Sequence, residues 1–149
     1  MYLKTHPPMT VLYSQHETTI QHLSEFVGIV LQDLCAEAIA NKAVISGPAL
    51  WVYHGMDGKP DTVFTLTIAL PIQGEFTPAR FAIKQLPAFK AVTHTHEGPW
   101  NTLTETYEEI MHHIDANKIP ITEESREVYL NIDFKHPQHN ITQVQMGVV

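Results

Sequence analysis

The chain lacks several things, and each absence excludes a class of protein. It has one cysteine, Cys35, in 149 residues, so no internal disulfide can form, and this composition suits a reducing, cytoplasmic setting. Basic residues are few, 9 against 16 acidic ones, and a net charge of -7 leaves no basic face for nucleic acid. No helix-turn-helix pattern with basic flanks is visible, so a DNA-binding part is expected to be absent or to lie on another chain. Long apolar runs are missing. Phe26–Leu31 is far too short to cross a bilayer, and the first ten residues have no apolar stretch of a signal peptide. Neither a G-x-S-x-G elbow, nor a glycine-rich phosphate loop, nor a C-x-x-C pair occurs. What remains is one domain of ordinary size, 44% hydrophobic, with enough apolar residues for a core.

The order of elements follows from periodicity and breakers. Met9–His16 is rich in β-branched and aromatic residues after Pro7-Pro8 and predicts a strand. Ile20, Leu23, Val27, Val30, Leu31, Leu34 and Ala38 recur at helical spacing, predicting a helix from about Thr19 to Asn41. Cys35 falls on this pattern as a small core residue. Ala49–His54 and Val63–Leu70 read as strands, the second closed by Pro71. A connector with Gly74, Pro78 and Pro87 follows, holding a possible short strand at Phe81–Lys84. Then come a strand at Ala88–His96, a helix opened by Pro99, a strand at Glu127–Phe134, a loop, and a last strand at Ile141–Val149.

The second half repeats the first. His16-Glu17 and His96-Glu97 lie 80 positions apart at a strand-to-helix junction. Ala40-Asn41-Lys42 matches Ala116-Asn117-Lys118, and Val52-Tyr53 matches Val128-Tyr129, both 76 apart. Strand–helix–strand–strand therefore occurs twice, over about 8–72 and about 87–149. One such unit has too little sheet to stand alone, so the two are expected to pair as a single α+β domain covering 1–149.

Strand parity selects candidate binding residues. Trp51 and Tyr53 share one face of their strand; Glu127 and Tyr129 share one face of theirs. Leu50, Val52, Val128 and Leu130 form the aliphatic faces, which are expected to meet the helices. The other face then presents aromatics, the carboxylate Glu127, and neutral polar groups such as Gln143. A carboxylate among apolar neighbours is costly to bury without a partner. Aromatic walls around a few polar groups suit a small molecule, and aromatic faces attract cations. Histidine is plentiful, ten in all, but His94 and His96 find no third ligand and His112-His113 diverge on a helix. No metal site and no cofactor are expected.

These residues resemble a known family. His96-Glu97-Gly98-Pro99-Trp100, with Leu103 and Tyr107, is similar to the H-x-G-P-[YW]-x-x-L-x-x-x-Y pattern of GyrI-like domains, and Glu127-Val128-Tyr129 to their E-x-Y. Such domains also form the effector-binding half of AraC- and MerR-type multidrug regulators. The resemblance implies a pseudo-two-fold antiparallel sheet with two helices on one face and a concave ligand pocket between the halves. It places the pocket carboxylate at Glu127 and aromatic walls at Trp100, Tyr129, Trp51 and Tyr53, with Tyr107 nearby. Where the family's last strand often reads T-E-I, this chain has Thr142-Gln143-Val144, which points toward flat ligands of little charge.

The function expected first is a stand-alone binding protein for hydrophobic, often cationic, aromatic small molecules. Next comes a hydrolase of electrophilic cyclopropane-type compounds with Glu127 as general base. Third is an inhibitor or modulator of a protein partner. Direct nucleic-acid binding and membrane insertion are not expected.

Overall fold

The computed structural model describes residues 1–149. Nine strands and two α-helices follow in the order β1 (Tyr2–His6), β2 (Met9–Thr18), α1 (Ile29–Ala40), β3 (Val44–Ile45), β4 (Leu50–His54), β5 (Phe64–Gln73), β6 (Ala82–Leu86), β7 (Phe89–Glu97), α2 (Leu103–Ala116), β8 (Ile121–Asn131) and β9 (Ile141–Val148). Short 3₁₀ turns cover Ile20–Phe26, Trp100–Thr102 and Pro137–His139. The strands form one antiparallel sheet in the order β1-β7-β9-β8-β4-β5-β2-β6, with β3 beside β5.

This order reads the same from both ends. The inner strands of the two halves, β4 and β8, meet at the centre with Trp51 opposite Glu127 and Val52 opposite Arg126. Trp51 and Glu127 are themselves 76 positions apart, as are Val52 and Val128. The pseudo-two-fold axis therefore passes through the Trp51–Glu127 pair. The outermost strands are exchanged: β1, which precedes the first half, pairs with β7 of the second. β6, which precedes the second half, pairs with β2 of the first.

The helix ends repeat in detail. Asn41 donates its side-chain amide to the Glu37 carbonyl and Asn117 donates to the His113 carbonyl, both at 2.8 Å. Lys42 (φ 58) and Lys118 (φ 51) then adopt the left-handed conformation. The next amides, Ala43 and Ile119, reach back to Ala38 and Ile114 at 3.0 Å. This closes the last helical turn in both halves.

Three local expectations are corrected. The helix predicted over Thr19–Asn41 is broken: its first part is the 3₁₀ turn, and Gly28 at φ 84 re-aims the chain before α1 begins. Pro71 does not end its strand. β5 loses β4 as neighbour at Ala69 and gains β3 at Ile72, so the proline falls where the ladder changes partner. Finally, the strand expected at Glu127–Phe134 is β8, Ile121–Asn131, which starts earlier and ends before Phe134; β1, with no strong strand signal of its own, forms by pairing with β7.

The larger correction concerns the faces of the sheet. Leu34 and Ala38 of α1 pack with Ala49, Tyr53, Leu66 and Ile68, and Ile110 and Ile114 of α2 pack with Val92 and Val144. The helices thus cover the face that carries Trp51 and Glu127. The aliphatic Leu50 and Val52 lie on the opposite face with Val11, Ala69 and Leu86, where no helix sits. Parity identifies which side chains share a face, but it does not say which face the helices choose. Here the helix side carries rings on the central β4 and β8 and branched aliphatics on the flanking β5, β7 and β9.

Candidate functional site

The two helices sit apart on the sheet and leave a cleft of about 1320 Å³ between them, with the Trp51–Glu127 pair at its floor. Leu31, Cys35 and Ile39 of α1 line one side; Leu103, Tyr107 and Met111 of α2 line the other. β4 and β8 alternate, so Trp51, Tyr53, Glu127 and Tyr129 all project into the same space. Burial pushes the Cys35 thiol up, so it is a quiet wall residue.

Glu127 is 7% exposed, and it forms no salt bridge. Arg126, next in sequence, points to the other face. There it pairs with Glu124 at 2.6 Å and lies over the Phe89 ring at 4.0 Å. Three tyrosines serve Glu127 instead. Tyr53 and Tyr129 donate their hydroxyls to Oε1 at 3.1 and 2.7 Å, and Tyr107 donates to Oε2 at 2.5 Å. Tyr53 and Tyr129 are equivalent positions of the two halves, converging on one acid at the axis. Burial raises the Glu127 carboxyl above the usual carboxylate range, and the three tyrosine bonds, with a smaller contribution from nearby His96, oppose this without reversing it. Burial, and then the Glu127 charge, hold the three tyrosine hydroxyls well above their ordinary value, so they stay protonated donors.

Aromatic rings continue outward from the acid. Trp51 meets Tyr129 edge-on at 5.9 Å, Tyr129 meets Trp100 at 5.7 Å, and Trp100 meets Phe134 at 5.9 Å. Each contact is tilted steeply, the geometry that ring quadrupoles favour. Trp100 is anchored by its indole N–H on Thr142 Oγ1 at 3.2 Å. The turn that carries it is fixed by His96, whose ring contacts Thr106 at 2.7 Å and Thr102 at 2.9 Å. Gly98, at φ 129, makes that turn possible. The motif from His96 to Tyr107 is therefore a device for holding one indole and one phenol over the acid.

Six of the seven candidates, Trp51, Tyr53, Trp100, Tyr107, Glu127 and Tyr129, line the cleft together. Gln143 does not. It pairs across from Val128, on the opposite face, and accepts a bond from Gln145 at 2.8 Å. Its neighbours Thr142, Val144 and Met146 face the helices instead, and Met146 reaches the cleft. The neutral Gln143 therefore says nothing about the charge of a ligand. Phe134, in the loop after β8, also lines the cleft mouth while 63% exposed. Its ring lies 3.9 Å from where a Cβ on Gly28 would stand. No sequence pattern pointed to it. His94 and His96 turn toward α2, His94 bonding Glu109 at 2.8 Å and His96 bonding Thr106 at 2.7 Å.

An open antiparallel sheet with an aromatic cleft between its two helices and one buried acid on its pseudo-axis has the form of a small-molecule-binding domain. The chain belongs to the family of GyrI-like small-molecule-binding domains, whose pattern matches residues 1–146. Its fold is similar to the C-terminal domain of EcmrR, at 18% identity and a TM-score of 0.81, covering 99% of this chain and 96% of that one. Against the EcmrR chain seen in a complex with DNA, it covers 56% of that chain, so it spans about half of that relative. SAV2435, solved bound to tetraphenylphosphonium, is similar at 16% identity and TM-score 0.70, with 99% and 93% of the two chains covered. A hydrolase from Listeria innocua shares the fold at 14% identity and TM-score 0.71, with 99% and 91% covered. No curated protein sequence matches the chain. No helix is long and apolar enough to cross a membrane.

Proposed function

We propose that this domain, one unit made of two repeats, binds hydrophobic small molecules, preferably aromatic cations, in the cleft between α1 and α2. The observation that carries this reading is Glu127: a buried carboxylate with three hydroxyl partners and no salt bridge, facing an apolar cleft. A cationic ligand supplies the missing counter-charge, and Trp51, Trp100 and Tyr129 supply ring faces for stacking. SAV2435, bound to a lipophilic phosphonium, shares this fold and supports that ligand class.

The two tryptophans of the chain both line the cleft, so their fluorescence reports on it. Titration with tetraphenylphosphonium is expected to quench that emission. Glu127→Gln is expected to weaken binding by at least about ten-fold, equivalent to roughly 1.4 kcal/mol. Equal affinity in the variant would remove the carboxylate from the reading.

A hydrolytic reading has one observation in its favour. The raised carboxyl of Glu127 makes it a stronger base than a surface glutamate, with tyrosine donors beside it to orient water or protonate a leaving group. Turnover of an electrophilic cyclopropane-bearing compound, lost in Glu127→Gln, would establish it. Binding without turnover returns the site to recognition alone.

A further inference from the structure

Away from the cleft floor, the loop between β8 and β9 gathers Asp133, His136 and His139, all with ligand atoms within 4.8 Å of one another. In sequence they form D-x-x-H-x-x-H. The local structure explains why that spacing converges. His136 caps the 3₁₀ turn Pro137–His139 and His139 ends it. A 3₁₀ helix has three residues per turn, so side chains three apart are eclipsed. The two imidazoles accordingly stack, with centroids 5.6 Å apart and planes 28° from parallel. Both present Nδ1 to a single oxygen, Asp133 Oδ2, at 3.4 Å for His136 and 3.6 Å for His139.

Those distances exceed a good N–H···O hydrogen bond of about 2.7–3.2 Å. They match the edge of a tetrahedral metal shell, where bonds of about 2.0–2.1 Å separate neighbouring ligand atoms by about 3.4 Å. The carboxylate is already oriented. Its other oxygen, Oδ1, accepts backbone N–H bonds from Lys135 and His136, each at 3.0 Å. The loop is further pinned by Asp133 N–H to Asn140 Oδ1 at 2.7 Å and by Asn131 Nδ2 to the His139 carbonyl at 2.8 Å. Such supporting bonds are what orient ligands in metal sites.

We propose that Asp133, His136 and His139 form a binding site for a divalent transition metal of the zinc class. Two imidazoles and one carboxylate suit such borderline ions and not magnesium, which prefers oxygen ligands. Three protein ligands leave one position open to water. Asp133 immediately precedes Phe134, so the metal would fix the stem of the loop that holds that ring at the cleft mouth.

The test uses the full chain without an affinity tag, stripped with a chelator and titrated with Zn²⁺ by calorimetry. One zinc per chain is expected, and Co²⁺ should give the strong visible absorption of a four-coordinate ion. His136→Ala and His139→Ala should each weaken binding by at least about 10–100-fold, the loss that even a ligand's supporting partner causes. His112→Ala, an exposed control on α2, should bind zinc as before. Both loop histidines are exposed, so the variants fold, and an unchanged circular dichroism spectrum checks this. The absence of zinc binding, or affinity unchanged in either loop variant, would overturn the assignment.

Discussion

Glu127 is a titratable group whose surroundings favour its proton, and this has consequences for stability and for binding. Its folded value lies above its unfolded one. The stability it contributes is therefore full below the unfolded value and is lost as pH rises through the folded value. Glu127→Gln cannot ionise, so its stability should improve relative to the native chain as pH rises past an ordinary glutamate carboxyl's value of about 4.3 and through the higher folded one. Urea midpoints across that range would check it, and a gap of the opposite slope would refute the sign. A cationic ligand favours the ionised form, so its binding should strengthen with pH and release a proton, measurable by calorimetry in buffers of different ionisation heat. Gln143→Ala should leave ligand affinity unchanged, because the side chain faces away from the cleft. The sequence made the members of this cluster legible, through parity and through the spacing from His96 to Tyr107. It did not reveal that tyrosines, not a ligand alone, satisfy the acid, because a hydroxyl's target depends on helix placement that periodicity does not encode.

At the level of elements, the equivalent helix ends carry the same strain. Lys42 and Lys118 occupy the left-handed region, which costs an L-residue roughly 1–2 kcal/mol. Lys118→Gly, and likewise Lys42→Gly, should stabilise the fold by about 0.5–1 kcal/mol once the greater freedom of glycine in the unfolded chain is subtracted. Chemical denaturation would measure this. The reverse holds at Gly28: alanine there meets a positive φ beside Phe134, and should cost about 1–3 kcal/mol. Most strands and both helices could be placed from periodicity and breakers. The break at Gly28 was hidden because the apolar spacing from Ile20 to Ala38 runs unbroken across it. β1 was hidden because its stability comes from β7, whose paired residues, His6 with Phe89 through Tyr2 with Thr93, are far apart in sequence.

The whole molecule depends on that exchange of outer strands. Neither half owns a complete edge: β6 lies outside residues 8–72, and β1 lies outside 87–149. Expressed alone, each half should fail to unfold cooperatively, whereas the full chain should unfold in one transition. Because the cleft is shared by both helices, a ligand at a hundred times its Kd should stabilise the entire domain by about 2.7 kcal/mol. Thermal melts with and without ligand would test this. The doubling was visible in matched letters, but the side of the sheet the helices occupy was not. That choice depends on which side chains can fill the gap between two separated helices.

The pairing of Trp51 with Glu127 on the pseudo-axis has one more consequence. A receptor with true two-fold symmetry would offer a guest two equal orientations, or two equal places. Here one half puts an indole on the axis and the other puts a carboxylate, so the equivalence is broken at the one point both halves share. For a cationic guest, as proposed, this should impose a head and a tail: one molecule per chain, its charge turned toward β8. Adding a second positive charge to a ligand should bring no gain.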